Sequence, residues 1–276
     1  MGLSPVWAGI NISCSHPELC RLAKIVFIEN QIDDFQFTTL VQIKGDPHEF
    51  EPSVSEVKNL INAEVLISGP AELNPWIKKI NYQRSKNKNT KTINILLKST
   101  DYNLYPGTSH EVLSHFWLYP KIFCSIKNEM EKQFTALGYF SLKNKTQACE
   151  VEEKNITTAL KETLAKMNYP LVLTHDALLP LIESLISKDK KSAVTAIKGS
   201  GHHQEASSIT VKKLYDVLKA PKVIWILEEK IHVPQSIISK KRADDIVINI
   251  DTANSQGLRS FQILETLNSK LKAIQK

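Results

Sequence analysis

The chain has 276 residues, 42% of them hydrophobic and 23% charged, with 35 Lys and Arg against 29 Asp and Glu for a net charge of +6. That length allows two medium domains or one large α/β domain with a sizeable core, and the composition argues against disorder as the main state. The basic balance invites a nucleic-acid reading, but the lysines are spread out. The one local run, Arg84 to Lys91, is interleaved with Ser, Asn and Thr and has no aromatic platform, so no nucleic-acid partner is expected.

No stretch approaches the roughly 20 apolar residues of a membrane helix. The start, Met1-Gly2-Leu3-Ser4-Pro5, lacks the basic and apolar regions of a secretory signal. This leaves two readings, a cytosolic protein and a mature exported chain whose signal is gone. Cys14, Cys20, Cys124 and Cys149 permit two disulfides in three pairings, and no pair has zinc-finger spacing. Cys14 and Cys20 cannot bridge on one straight helix, where six residues of rise part them by about 9 Å. They can bridge if Cys14 precedes the helix, and Ser15-His16-Pro17 looks like a helix start.

In chain order, Val6 to Ile12 reads as a strand, Pro17 to Glu29 as a helix and Phe35 to Ile43 as a strand. A helix from Ser53 to Asn62 is capped by Ser53 or Ser55, followed by the apolar strand 63–68, a turn at Gly69-Pro70, a helix around Pro75 to Ile80 and a strand Ile93 to Leu97. Helical spacing resumes from Pro120 to Leu137 and again from Thr146 to Met167, where Ile156, Leu160, Leu164 and Met167 share a face. The alternation then restarts with strands at Leu171–Thr174, Ser192–Ile197, Val223–Leu227 and Asp245–Ile250. Between and after them come helices at Asp176–Ile186, Ser208–Leu218, Pro234–Lys241 and Ser260–Ile274. Such alternation predicts an α/β protein of two βα-repeat lobes with parallel sheets. The expected division is an amino-terminal lobe at 1–140, a long rigid linking helix at 141–168 and a carboxy-terminal lobe at 169–276.

Four ligand-type side chains fall where the pattern places βα junctions. His48 sits in the stiff turn Gly45-Asp46-Pro47-His48-Glu49-Phe50-Glu51-Pro52, between a strand and a capped helix. His115 lies among aromatics in Ser114-His115-Phe116-Trp117-Leu118-Tyr119-Pro120, His175 ends one strand and Asp251 ends another. Each alone is explicable as an exposed residue or a helix cap. Repeated at strand ends, two in each half of the chain, they predict one transition-metal site in a cleft between the lobes. His16 and His232 read as surface histidines, and His202-His203 as part of a solvated loop, with a weak secondary metal site as the alternative.

Four segments resemble the metal-binding subunits of bacterial zinc and manganese ABC importers: 45–52, His-Phe-Trp-Leu-Tyr-Pro at 115–120, Thr-His-Asp-Ala at 174–177 and Asp-Thr-Ala at 251–253. The stretch Ala63 to Trp76 is also similar, and the match in order and spacing runs from about Val6 onward. The resemblance implies two α/β lobes joined by a long helix, with His48, His115, His175 and Asp251 as metal ligands. It departs at Tyr119, where the family usually has Asp, and in the short stretch 99–114, where many zinc-specific members carry a His-rich loop.

Three imidazoles and one carboxylate suit Zn(II), with Mn(II) or Fe(II) as alternatives; His175 in place of a carboxylate favours zinc over manganese. The resemblance implies a monomeric binding protein of the periplasm or the extracytoplasmic surface that delivers its ion to an ABC permease, with little closure about a stiff linking helix. The alternatives are a zinc-dependent hydrolase and a surface adhesin on the same scaffold. Against hydrolysis, there is no His-Glu-x-x-His helix, and a fourth protein ligand would close the site to water.

Overall fold

The computed structural model describes residues 10–38, 51–69, 74–95, 103, 105, 109–141, 146–198, 208–228, 235–252 and 261–275. They form two compact units. The first is built from the described parts of Met1–Lys44, Phe50–Lys98 and Cys124–Gln147, and the second from those of Ser99–Phe123 and Ala148–Lys276.

The first unit carries a four-stranded parallel sheet of β1 (Ile10–Cys14), β2 (Phe35–Thr38), β3 (Val65–Ser68) and β4 (Lys91–Asn94), in the order β2-β1-β3-β4. All four residues of β3 are buried, as befits a central strand covered on both faces. Helix α1 (Pro17–Glu29) buries Leu19, Leu22, Ala23, Val26 and Phe27, which recur at helical spacing along one stripe. Phe27 meets Phe35, Phe37, Phe134 and Phe140 edge-on, with centroids 4.7 to 6.3 Å apart. Helix α2 (Val54–Asn62) opens on a reciprocal capping box of Ser53 and Glu56. With α3 (Ile77–Arg84) it closes a cluster of Leu60, Leu66, Ile77 and Ile80 over β3.

The second unit repeats the topology. Strands β5 (Leu171–His175), β6 (Val194–Lys198), β7 (Ile224–Glu228) and β8 (Ile246–Ile250) form a parallel sheet in the order β6-β5-β7-β8. Its described helices are α4 (Ser109–Ser114), the start of α5 (Pro120–Ala136), most of α6 (Thr146–Ala165), α7 (Leu179–Leu185), α8 (Ser208–Val217), α9 (Gln235–Ile238) and α10 (Gln262–Ile274). Trp225, Val172, Ile197, Leu214, Val217 and Val223 form the core between α8 and the sheet. In both sheets the first and third strands lie side by side and the chain winds outward from them, which puts a switch point between β1 and β3 and another between β5 and β7. The carboxyl ends of such strands are where open α/β sheets bind ligands.

Several expectations shift. The helix expected over Asp176–Ile186 is a 3-10 turn at Asp176–Leu178 followed by α7, whose first turn holds Pro180. A proline has no N–H to give to a preceding turn, so a continuous α-helix is interrupted there. Another 3-10 stretch, Lys188–Ala193, precedes β6, and α4 has no counterpart in the sequence pattern. The expected strand end beyond Thr38 lies outside the described residues.

Two arginines do the same work in the two units. The Arg84 guanidinium donates to the carbonyls of Leu60, Ile61 and Ala63 at 2.7 to 3.0 Å, closing the carboxyl end of α2, and to that of Lys91 at the start of β4 at 2.6 Å. Burial lowers it to about 10, which leaves it charged at neutral pH. Arg242 donates to the carbonyls of Leu218 and Ala220 after α8 and is held by Asp245. Cys14, at the end of β1, is bridged to Cys20 in the first turns of α1, with Cα atoms 5.5 Å apart. The bridge exists because Cys14 precedes the helix, as the sequence required. Cys124 and Cys149 are also disulfide-bonded.

Candidate metal centre

Three of the four candidate ligands lie in the second unit, and each is buried. His115 is 3% exposed, His175 1% and Asp251 7%. His175 ends β5 beside the switch point, and Asp251 follows β8 directly, both as expected. His115 does not end a strand: it follows α4 and begins the 3-10 turn Phe116–Leu118. It also groups with the second unit, where the sequence had counted it with the first half. The reason is long-range bonding that no local pattern reveals. The Trp117 indole N–H donates to the carbonyl of Thr252 at 2.8 Å, and the Tyr119 hydroxyl donates to the carbonyl of Ala177 at 2.8 Å.

These two bonds tie the His115 segment to the loops that carry Asp251 and His175. Tyr119, the residue that departs from the resembling family, is fully buried and packs on Tyr105 at 4.8 Å. Burial pushes the Tyr105 hydroxyl above its ordinary range, so it stays neutral. The imidazole rings of His115 and His175 meet edge-on with centroids 5.1 Å apart, and Trp117 flanks His115 at 5.5 Å. Two imidazoles in one dry, aromatic-walled position make a nitrogen-rich start for a borderline-soft divalent ion. As placed, no group of three or more His, Cys, Asp or Glu side chains close enough to hold an ion occurs among the described residues. His48 lies outside them, as do His202, His203 and His232.

One buried carboxylate beside His175 escaped the sequence reading. Glu228 ends β7, across the switch point from His175, and its side chain is fully buried. Its Oε2 accepts from the Thr252 hydroxyl at 2.6 Å and lies 3.4 Å from Nδ1 of His175. Its backbone N–H donates to the Thr174 hydroxyl at 2.9 Å. The signal was available: Glu228 terminates an apolar strand, the same rule that marked His175 and Asp251. His16 is a further correction. It is 3% exposed, not a surface residue, and caps α1 through Nδ1, which accepts from the Glu18 N–H at 3.2 Å.

No curated protein sequence matches the chain. Solved structures of the same fold include AdcAII of Streptococcus pneumoniae, 15% identical with a TM-score of 0.70, which covers 98% of this chain and 100% of that one. The laminin-binding protein Lmb of Streptococcus agalactiae, described as bifunctional with adhesin and metal-transporting activity, is 18% identical with a TM-score of 0.68, covering 97% and 98%. The Zn(II)-bound AdcA of Streptococcus pneumoniae is 19% identical with a TM-score of 0.61; the match covers 97% of this chain but only 57% of AdcA, so the chain spans little more than half that protein. At these identities the structures establish the fold of two parallel-sheet α/β lobes. The family profile described as zinc-uptake complex component A, periplasmic, matches residues 12–276. With nearly the whole sequence covered and the same two-lobed fold, the chain belongs to that zinc-uptake family, the substrate-binding component of metal ABC importers.

Proposed function

We propose that this chain captures Zn(II) outside the cytoplasm with His48, His115, His175 and Asp251 and hands it to the membrane permease of its importer. Membership in a zinc-uptake family makes a metal ion and a permease its partners. The observation that carries the ligand assignment is the contact of two buried imidazoles, 5.1 Å between centroids, in a segment hydrogen-bonded to the loops of His175 and Asp251. No helix among the described residues is long and apolar enough to cross a membrane.

The ion is cargo, and its handling needs no covalent step. Neutral imidazoles bind metal and protonated ones do not, so uptake weakens on acidification. Zinc outcompetes manganese at such a nitrogen-rich site by the ordinary order of divalent affinities. The test is metal analysis of protein purified without added ions, followed by competition between zinc and manganese. One zinc per chain, displaced by chelator and not by equimolar manganese, is the expected result. A chain that takes up no zinc, or takes up manganese as readily, would overturn the assignment.

A further inference from the structure

The His175 ring has rival hydrogen-bond partners that demand different tautomers. The Ala177 backbone N–H donates toward Nδ1 over 3.4 Å, which requires a bare Nδ1 and therefore a proton on Nε2. Glu228 Oε2 lies the same 3.4 Å from Nδ1 and can only accept, which requires the proton on Nδ1 and leaves the Nε2 lone pair open. Asp176 Oδ1, 3.4 Å from Nε2, pulls the other way, favouring a proton on Nε2. Only the tautomer with a bare Nε2 can offer that atom to an ion.

We infer that Glu228 is a positioning residue that selects the metal-ready tautomer of His175, with Nδ1 protonated and Nε2 open. The inference rests on the zinc-binding reading for its purpose, but its evidence is the geometry of the ring. Among these three the distances are equal, so chemistry ranks them. A hydrogen bond to a carboxylate is about twice as strong as one between neutral groups, which sets Glu228 above the Ala177 N–H. Between the two carboxylates, Glu228 is 0% exposed and Asp176 10%, and the drier one interacts more strongly.

Glu228 is also held still. The Thr252 hydroxyl donates to the same Oε2 at 2.6 Å, and the Glu228 N–H is fixed on Thr174, the neighbour of His175 in β5. Thr252 is the residue after Asp251, so one carboxylate links the segments of two candidate ligands. Its other oxygen, Oε1, is buried and has no hydrogen-bond partner among the described residues, so nothing there competes with the pull on His175.

The experiment is long-range proton–nitrogen NMR of metal-free protein carrying 15N-histidine, with His175 assigned by the signals lost in His175→Asn. The wild type is expected to show a protonated Nδ1 and a bare Nε2. Glu228→Leu, which removes the acceptor and keeps the bulk, moves the proton to Nε2 and weakens zinc binding by about 10- to 100-fold. Glu228→Gln retains an acceptor oxygen and keeps the wild-type tautomer. A wild-type ring protonated on Nε2, or a folded Glu228→Leu variant whose tautomer is unchanged, would overturn the inference. The wild-type spectrum needs no variant, so it decides even if Glu228→Leu fails to fold. Zinc titration of the wild type separates the two claims. Without zinc binding the functional proposal falls, while the tautomer still answers for Glu228.

Discussion

Asp245 accepts five hydrogen bonds, from the backbone N–H groups of Val223 and Arg242, the Trp225 indole and two nitrogens of the Arg242 guanidinium, at 2.8 to 3.2 Å. Burial alone would raise its carboxyl, but Arg242 and the other donors outweigh that and hold it at about 2 against an ordinary 3.8. Because the folded value is depressed, this stabilisation is complete above pH 3.8 and is lost as pH falls toward 2, a contribution of about 2 kcal/mol. Acid unfolding of Asp245→Asn should therefore show a weaker pH dependence across that interval than the wild type. Arg84→Met strips the donors from three carbonyls at the end of α2 and one at the start of β4 and should cost about 3 kcal/mol in denaturant unfolding. At this scale the sequence was only partly legible. His175 and Asp251 stood out as strand-ending candidate ligands, but the role proposed for Glu228 depends on a contact 53 residues away in sequence. The burial of His16 is not announced by its neighbours Ser15 and Pro17.

Among the elements, most of the βα alternation could be read from apolar periodicity, because the long helices repeat their buried stripe several times. Helix α4 spans six residues, too few for any period to show, and Pro180 conceals a change of helix type inside one apolar run. A serine cap was legible, and the structure chooses Ser53 and completes a capping box with Glu56; Ser53→Ala should lower stability by about 1 kcal/mol in chemical denaturation. The Cys14–Cys20 bridge pins the end of β1 to α1 beside His16. Replacing both cysteines by serine opens a short loop and should cost about 2 kcal/mol, read as a lower denaturant midpoint.

For the whole molecule, the rhythm of two similar halves correctly foretold two parallel sheets, and the structure adds that both wind in the same order. Which unit owns residues 109–123 could not be read locally, since Trp117 reaches Thr252 across 135 positions and Tyr119 reaches Ala177 across 58. Those two bonds let three candidate ligands share one unit, so that unit holds most of the proposed site. The direct test is thermal unfolding of the metal-free chain with and without zinc, for the wild type and for His48→Ala, His175→Ala and Asp251→Ala. Zinc at about a hundred times its dissociation constant should add about 2.7 kcal/mol to the wild type, a rise in melting temperature that each variant reduces or loses. A wild type whose melting ignores zinc, or variants that gain as much as the wild type, would contradict zinc capture by these residues.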